Sequence, residues 1–204
     1  MAVIPTVPSR PDISDKVIHF TRAATYGEAV DVLLKIADEC RILGGTGMIK
    51  GGYRCVCFTE APLVAVATAF VNAGSFLRYS PFGLIFEKSW VYARAGRPVI
   101  YQPDEDFYRL PDELRWKHVR YELTSTPPVD FTWEREWRIQ CGKLLFNSGE
   151  VALVVPTEEW EAAIVSAWDG AQELVVEPYS TILDQLTLLQ MQKACPWRVI
   201  RLAS

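Results

Sequence analysis

Histidine is scarce in this chain: His19 and His118 are the only two among 204 residues. The five cysteines, Cys40, Cys55, Cys57, Cys141 and Cys195, form no Cys-x-x-Cys pair, so a zinc site has little support. Their odd number also argues against a secreted disulfide scaffold and fits a reducing cytoplasm, the localisation expected here. Positive charge is not in excess either. Lys and Arg number 21 against 25 Asp and Glu, a formal net charge of −4, so any nucleic-acid contact needs a local basic patch. No apolar run reaches the roughly 20 residues of a membrane span. The best, Ala61 to Ala73, reads as a buried helix, and no membrane partner is expected. Residues 1–15 contain Pro5, Pro8 and Pro11 and lack the basic start and apolar stretch of a signal peptide, so they read as a flexible arm. The glycine-rich stretch from Gly44 to Gly52 has no Gly-x-x-x-x-Gly-Lys-Ser/Thr, which removes a phosphate-cradling P-loop, and no Rossmann signature occurs.

What is present describes an ordinary globular protein, half apolar and 23% charged. Lys16 to Thr21 reads as a first strand. Thr25-x-x-Glu28 has capping-box spacing, and Val30, Leu33, Leu34, Ala37 and Cys40 predict a helix to about Leu43, stopped by Gly44-Gly45. Arg54 to Thr59 is a second strand, Phe82 to Phe86 and Pro98 to Tyr101 are further short ones, and a short helix around Trp90 ends at Gly96. Asp112 to Leu123 looks helical until Pro127-Pro128. Val151 to Val155 and Trp197 to Leu202 read as strands, with helices over about Glu158 to Trp168 and Thr181 to Lys193 between them. No repeat or linker interrupts this, so residues 16–204 form a single α+β domain.

Trp133-Glu134-Arg135-Glu136-Trp137-Arg138 carries the most chemistry. As a strand, its period of two turns Glu134, Glu136 and Arg138 to one side. Two like charges on one face repel unless a cation or polar substrate lies opposite. An edge strand whose carboxylates pair with Arg138 or with a neighbouring strand is the structural alternative.

These segments occur in a recognisable order. His19-Phe20-Thr21 ends the first strand, Val56 to Glu60 forms the second, and Trp133 to Arg138 comes late. The middle segments Arg78 to Phe86 and Gly96 to Tyr101 complete the pattern. Together they resemble the ADP-ribosyltransferase superfamily, and are most similar to DarT-like DNA ADP-ribosyltransferases and AbiGi-like abortive-infection proteins. The resemblance covers residues 16 to about 156 and lies in the order of short motifs. It implies a split mixed β-sheet with flanking helices and a cleft that takes NAD as substrate, with a nucleic acid or protein as acceptor. It further implies that His19 bonds the adenosine ribose, that Thr21 with the Phe20 backbone holds the nicotinamide amide, and that Thr59 supports the catalytic glutamate. Glu136 is then the catalytic carboxylate and Glu134 its assistant toward the acceptor. Phe58 or Tyr53 is available to stack on nicotinamide, and Arg78 to bind phosphate. Phe20 departs from the His-Gly-Ser/Thr of poly-ADP-ribosyl members, where a glycine stands.

The expected function is an NAD-dependent ADP-ribosyltransferase of the toxin or phage-defence kind. A non-catalytic nucleotide-binding or antitoxin-type module on the same fold, and an NAD glycohydrolase with water as acceptor, are the alternatives. Each residue also has a plainer reading: His19 as a strand histidine bonded to backbone, Phe58 as core, Thr59 as a β-branched strand residue, Arg78 as a surface charge.

Overall fold

The computed structural model describes residues 13–63 and 79–202. Arg78, residues 1–12 of the arm and most of the expected Ala61 to Ala73 helix lie outside these residues. In chain order the elements are β1 (Lys16–Phe20), α1 (Tyr26–Glu39), β2 (Arg41–Leu43), β3 (Cys55–Thr59), β4 (Gly83–Glu87), α2 (Lys88–Ala93), β5 (Arg97–Pro98) and β6 (Ile100–Gln102). Then follow α3 (Asp112–Arg115), β7 (His118–Arg120), β8 (Glu136–Gln140), β9 (Lys143–Leu145), β10 (Val151–Val155), α4 (Glu158–Val176), α5 (Gln185–Met191) and β11 (Arg198–Arg201). Among the described residues seven strands form the main sheet, in the order β11-β10-β4-β1-β3-β8-β5. Its neighbours are antiparallel except β10 with β11, which gives the mixed α+β class expected. Smaller pairs join β2 to β9 antiparallel and β6 to β7 in parallel. Among the described residues no helix is long and apolar enough to cross a membrane.

Alternation along the strands divides the apolar residues between the two faces of the sheet. Val17, Phe58, Phe86 and Leu153 turn to one face, where α1 covers them with Ala29, Leu33 and Ala37. Ile18, Ile85, Ala152 and Val154 turn to the other. Full burial of side chains such as Leu33 and Phe86 contributes roughly 1.5–3 kcal/mol each. α1 starts as its capping pattern predicts: the Thr25 hydroxyl accepts from Glu28 N at 3.2 Å, and the Glu28 carboxylate accepts from Ala24 N at 3.0 Å. It stops earlier than expected. Cys40 takes a left-handed conformation (φ 48°), and Arg41–Leu43 leaves as β2 to pair with β9. Gly44 follows because its backbone passes against the Cys141 carbonyl, where a Cβ would collide.

Three further expectations change. Pro98 to Tyr101 is not one strand: it breaks at Val99, so that β5 pairs with β8 and β6 with β7. The helix expected over Asp112 to Leu123 lasts four residues and gives way to β7, whose His118 imidazole bonds the Pro103 carbonyl at 3.1 Å. The Trp133 to Arg138 strand begins only at Glu136. Asp130 accepts from both the Thr132 N–H (2.9 Å) and hydroxyl (2.7 Å), winding Thr132–Glu134 into a 3₁₀ turn. Arg135 then adopts φ 45° before the strand starts.

Candidate functional site

The main sheet nearly divides between β1 and β3. β1 holds five registered pairs with β4, from Lys16↔Glu87 to Phe20↔Gly83, but a single one with β3, Ile18↔Thr59. Beyond it the His19 imidazole stands in for the missing ladder bond, with Nδ1 2.8 Å from the Cys57 carbonyl oxygen. A carbonyl only accepts, so Nδ1 carries the proton and Nε2 is left as the acceptor. Burial holds the pKa of this ring below the usual histidine value, and the Cys57 bond opposes that only in part, so the ring is neutral at pH 7. Phe58 meets it edge-on at 6.0 Å, and Gly83 lets β4 pass directly under the His19 carbonyl.

A pH dependence of stability follows from this burial. Below about pH 6.5 the unfolded chain takes up a proton that folded His19 refuses, so stability falls as pH drops from 6.5 until the lower folded pKa is passed. Within that window the loss is up to about 1.4 kcal/mol per pH unit. Urea unfolding of the protein and of His19→Gln between pH 5 and 7.5 should show the wild-type midpoint falling more steeply; parallel curves would remove His19 as the cause.

Opposite this ring lie the carboxylates. Glu136 and Arg138 share one face of β8, and the guanidinium spans the carboxylate with Nε 2.7 Å from Oε1 and a terminal nitrogen 3.1 Å from Oε2. The other terminal nitrogen donates to the Trp116 and His118 carbonyls at 2.8 and 3.0 Å, so Arg138, with 5% of its side chain exposed, ties β8 to the start of β7. Glu134 arrives on the preceding turn, is 7% exposed, and accepts from the Tyr79 hydroxyl at 3.3 Å. Thr59 donates its hydroxyl to the Glu134 carbonyl and accepts from Ala61 N at 3.1 Å, which pins the turn to the end of β3. Tyr101 receives the Glu136 N–H at 3.0 Å. Burial pushes the Tyr101 phenol up to about 12 and the Tyr79 phenol higher still, so both are neutral hydroxyls at pH 7. Burial raises the Cys55 thiol to about 11 and the Cys57 thiol further, with Glu136 adding to the latter, so neither is a ready nucleophile.

His19, Glu134 and Glu136 all line one cavity of about 500 Å³, with Tyr79, Arg138 and the exposed Arg22. Its other walls are the loop around Gly45 to Ile49, Val119 and Arg120 of β7, and Phe131. A crevice of about 70 Å³ adjoins it, touched by Phe20, Phe58 and Thr59 as well as the same His and Glu residues.

Not every expected residue takes its expected part. Thr21 is 2% exposed and lines neither space, because its N–H and hydroxyl both donate to the Phe82 carbonyl (2.7 and 3.0 Å) and its own carbonyl accepts from Ser80 N. It clamps the end of β1 and stands outside both spaces. Phe58 is a core ring, packed at 5.5 Å against Phe86. Tyr53 lines neither space. Sequence reasoning passed over Arg22, which carries no motif, and gave no role to Tyr79 and Tyr101, although both lie in segments of the pattern; only Arg138, two residues after Glu136 on one strand face, announced its pairing. All five cysteines are free, and among the described residues no group of three or more His, Cys, Asp and Glu is placed to hold a metal ion.

Comparison with protein-family models, with curated proteins and with solved structures found no match to this chain.

Proposed function

We propose that this chain is an NAD-dependent ADP-ribosyltransferase that moves ADP-ribose to a nucleic acid or protein acceptor, as a toxin or phage-defence effector acting in the cytoplasm. The observation that carries the reading is the meeting of His19, Glu134 and Glu136, from separate elements, on one cavity of about 500 Å³. That volume lies within the roughly 300–1,000 Å³ of small-molecule and cofactor sites. Neutral His19 suits a sugar hydroxyl, since its unprotonated Nε2 accepts where a hydroxyl donates.

Cleavage of the nicotinamide–ribose bond leaves positive charge at ribose C1 as neutral nicotinamide departs with the bonding pair. A fixed carboxylate beside C1 stabilises that charge. Arg138 already spans both oxygens of Glu136, so we give this role to Glu134, reversing the order expected from the sequence. Glu134 then takes the proton of the acceptor as the acceptor bonds C1. Glu136 and Arg138 together form the wall that positions the substrate. Arg22 joins Arg78 as a candidate for the pyrophosphate, because it is exposed and lines the cavity, whereas Arg120 is held by Glu122. Arg22→Ala should raise KM for NAD about tenfold with kcat little changed, read from steady-state nicotinamide release. An unchanged KM removes Arg22 from the site.

The Arg138 pairing favours one second reading, a non-catalytic nucleotide-binding or antitoxin-type module, because a charge-compensated carboxylate makes a better wall than catalyst. Labelled NAD incubated with DNA, RNA, protein or water alone separates the cases. Transfer to a macromolecule supports the transferase, and nicotinamide release with water alone marks a glycohydrolase. Calorimetric binding without turnover leaves the module. No heat at millimolar NAD, a level equivalent to about 4 kcal/mol of binding, ends the transferase and glycohydrolase readings and favours an antitoxin-type module.

A further inference from the structure

The far edge of the main sheet carries a surface that the cavity does not use. α4 packs beside α1, β10 and β11, and of its 19 residues only Ile164 and Val176 are buried. Its outer face lines a groove of about 680 Å³ in which Ala162, Val165 and Gly170 lie among Glu158, Glu161, Asp169 and Glu173. Arg201 reaches Glu158 and Glu161 at 3.3 Å, whereas Asp169 and Glu173 enter no ion pair with a described residue. At 1.5 Å per residue this helix is about 28 Å long, enough for a partner helix of five turns.

Beyond the groove the chain makes a closed excursion. Trp168 donates to the Lys193 carbonyl at 2.7 Å and Lys193 N donates to the Gln172 side chain at 3.1 Å, so everything between leaves α4 and returns to it. The excursion is apolar and yet exposed. Leu174 is 69% exposed, Ile182 73% and Leu186 66%, and from Leu174 to Met191 only Val176 is buried. α5 is seven residues long, too short to be stable on its own, and buries none of them. So many exposed large apolar side chains gathered in one short segment are the composition of an interaction surface.

Charge states what fits there. Residues 151–192 hold seven carboxylates and no lysine or arginine, leaving 18 acidic against 21 basic residues in the rest of the chain. Two copies meeting symmetrically through this face would bring like charges together, so a second copy is disfavoured as the occupant. We propose that the outer face of α4 and the Leu174 to Met191 excursion dock a basic amphipathic helix of another protein, with its apolar stripe on Leu174, Ile182, Leu186 and Leu189 and its lysines or arginines over Asp169 and Glu173. This inference is independent of what the cavity binds.

The test uses the full chain and two labelled peptides of about 18 residues that share one helical leucine pattern, one with lysine and one with glutamate at the polar positions. Fluorescence anisotropy should give a Kd at least about tenfold lower for the lysine peptide, weakening with added salt. D169K/E173K should erase that preference, and L186S/L189S should weaken the lysine peptide about tenfold or more, with circular dichroism checking the fold. Absence of binding by the lysine peptide overturns the proposal, as does binding indifferent to both double variants. Sedimentation equilibrium showing a dimer that L186S/L189S dissociates would also overturn it, since a second copy would then cover the face.

Discussion

Glu134→Gln should lower nicotinamide release from NAD by roughly two to three orders of magnitude while NAD affinity stays within about threefold. The substitution keeps the shape of the side chain and its acceptor to the Tyr79 hydroxyl, and removes only the charge. Charge at ribose C1 exists in the transition state and not in bound NAD, so the loss falls on kcat. The turn that carries Glu134 is held by Asp130 and Thr59 through bonds that the substitution does not touch, so misplacement of the backbone is not a confounding cause. Single-turnover release with equilibrium binding measured alongside gives both numbers. Full activity in Glu134→Gln removes this residue from the mechanism, and the same fall in Glu136→Gln without loss of stability restores the sequence-based order.

Glu136→Ala should destabilise the fold by about 3–5 kcal/mol, the usual consequence of leaving one member of a buried ion pair behind. Arg138 is 5% exposed and Glu136 13% exposed as side chains, so solvent screens their attraction little. Two of the guanidinium bonds go to the Trp116 and His118 carbonyls, and these hold the charge in place after its partner is gone. Replacing both residues, as Glu136→Ala with Arg138→Met, should recover part of the loss, because the stranded charge goes with the pair. Urea unfolding reads both. A single substitution costing less than about 1 kcal/mol would show that Arg138 relaxes to water, and that the pair is an ordinary surface contact.

The elements legible in the sequence are those whose own pattern decides them. β1, β3, β4 and β10 are short runs of β-branched and aromatic residues, and α1 declares itself through Thr25, Glu28 and its apolar spacing. Failures came where a distant group overrides local preference. Asp112 to Leu123 has helical composition, but His118 and Val119 gain a strand partner in β6 and a bond to Pro103. The Glu134 turn depends on Asp130, whose side chain replaces the backbone bonds that a strand would need. Carboxylates expected to share a face by alternation meet instead by a turn. His19 lines the cavity with both glutamates and also bonds the Cys57 carbonyl, its plainer reading, for a reason invisible in sequence: the parting of β1 from β3. Thr21 stands outside the cavity, its hydroxyl bonded to the carbonyl of Phe82, 61 positions away.

The Arg138 tie between β8 and β7 gives the cavity unequal walls. On that side one guanidinium makes four hydrogen bonds, two to Glu136 and one each to the Trp116 and His118 carbonyls, just ahead of the Val119 and Arg120 that line the cavity. Across the opening stands the Gly45 to Ile49 loop, with Met48 75% exposed at its tip and Gly47, Gly51 and Gly52 at positive φ. It is held at its two ends, where Gly45 exchanges backbone bonds with Cys55 and Lys50 bonds Asp104, and its tip between them carries the exposed Met48. A guest is therefore measured against a rigid template on one flank and accommodated by a pliant one on the other. Ligands that differ where they touch the braced flank should be sorted sharply, and those that differ toward Met48 should be admitted with little distinction.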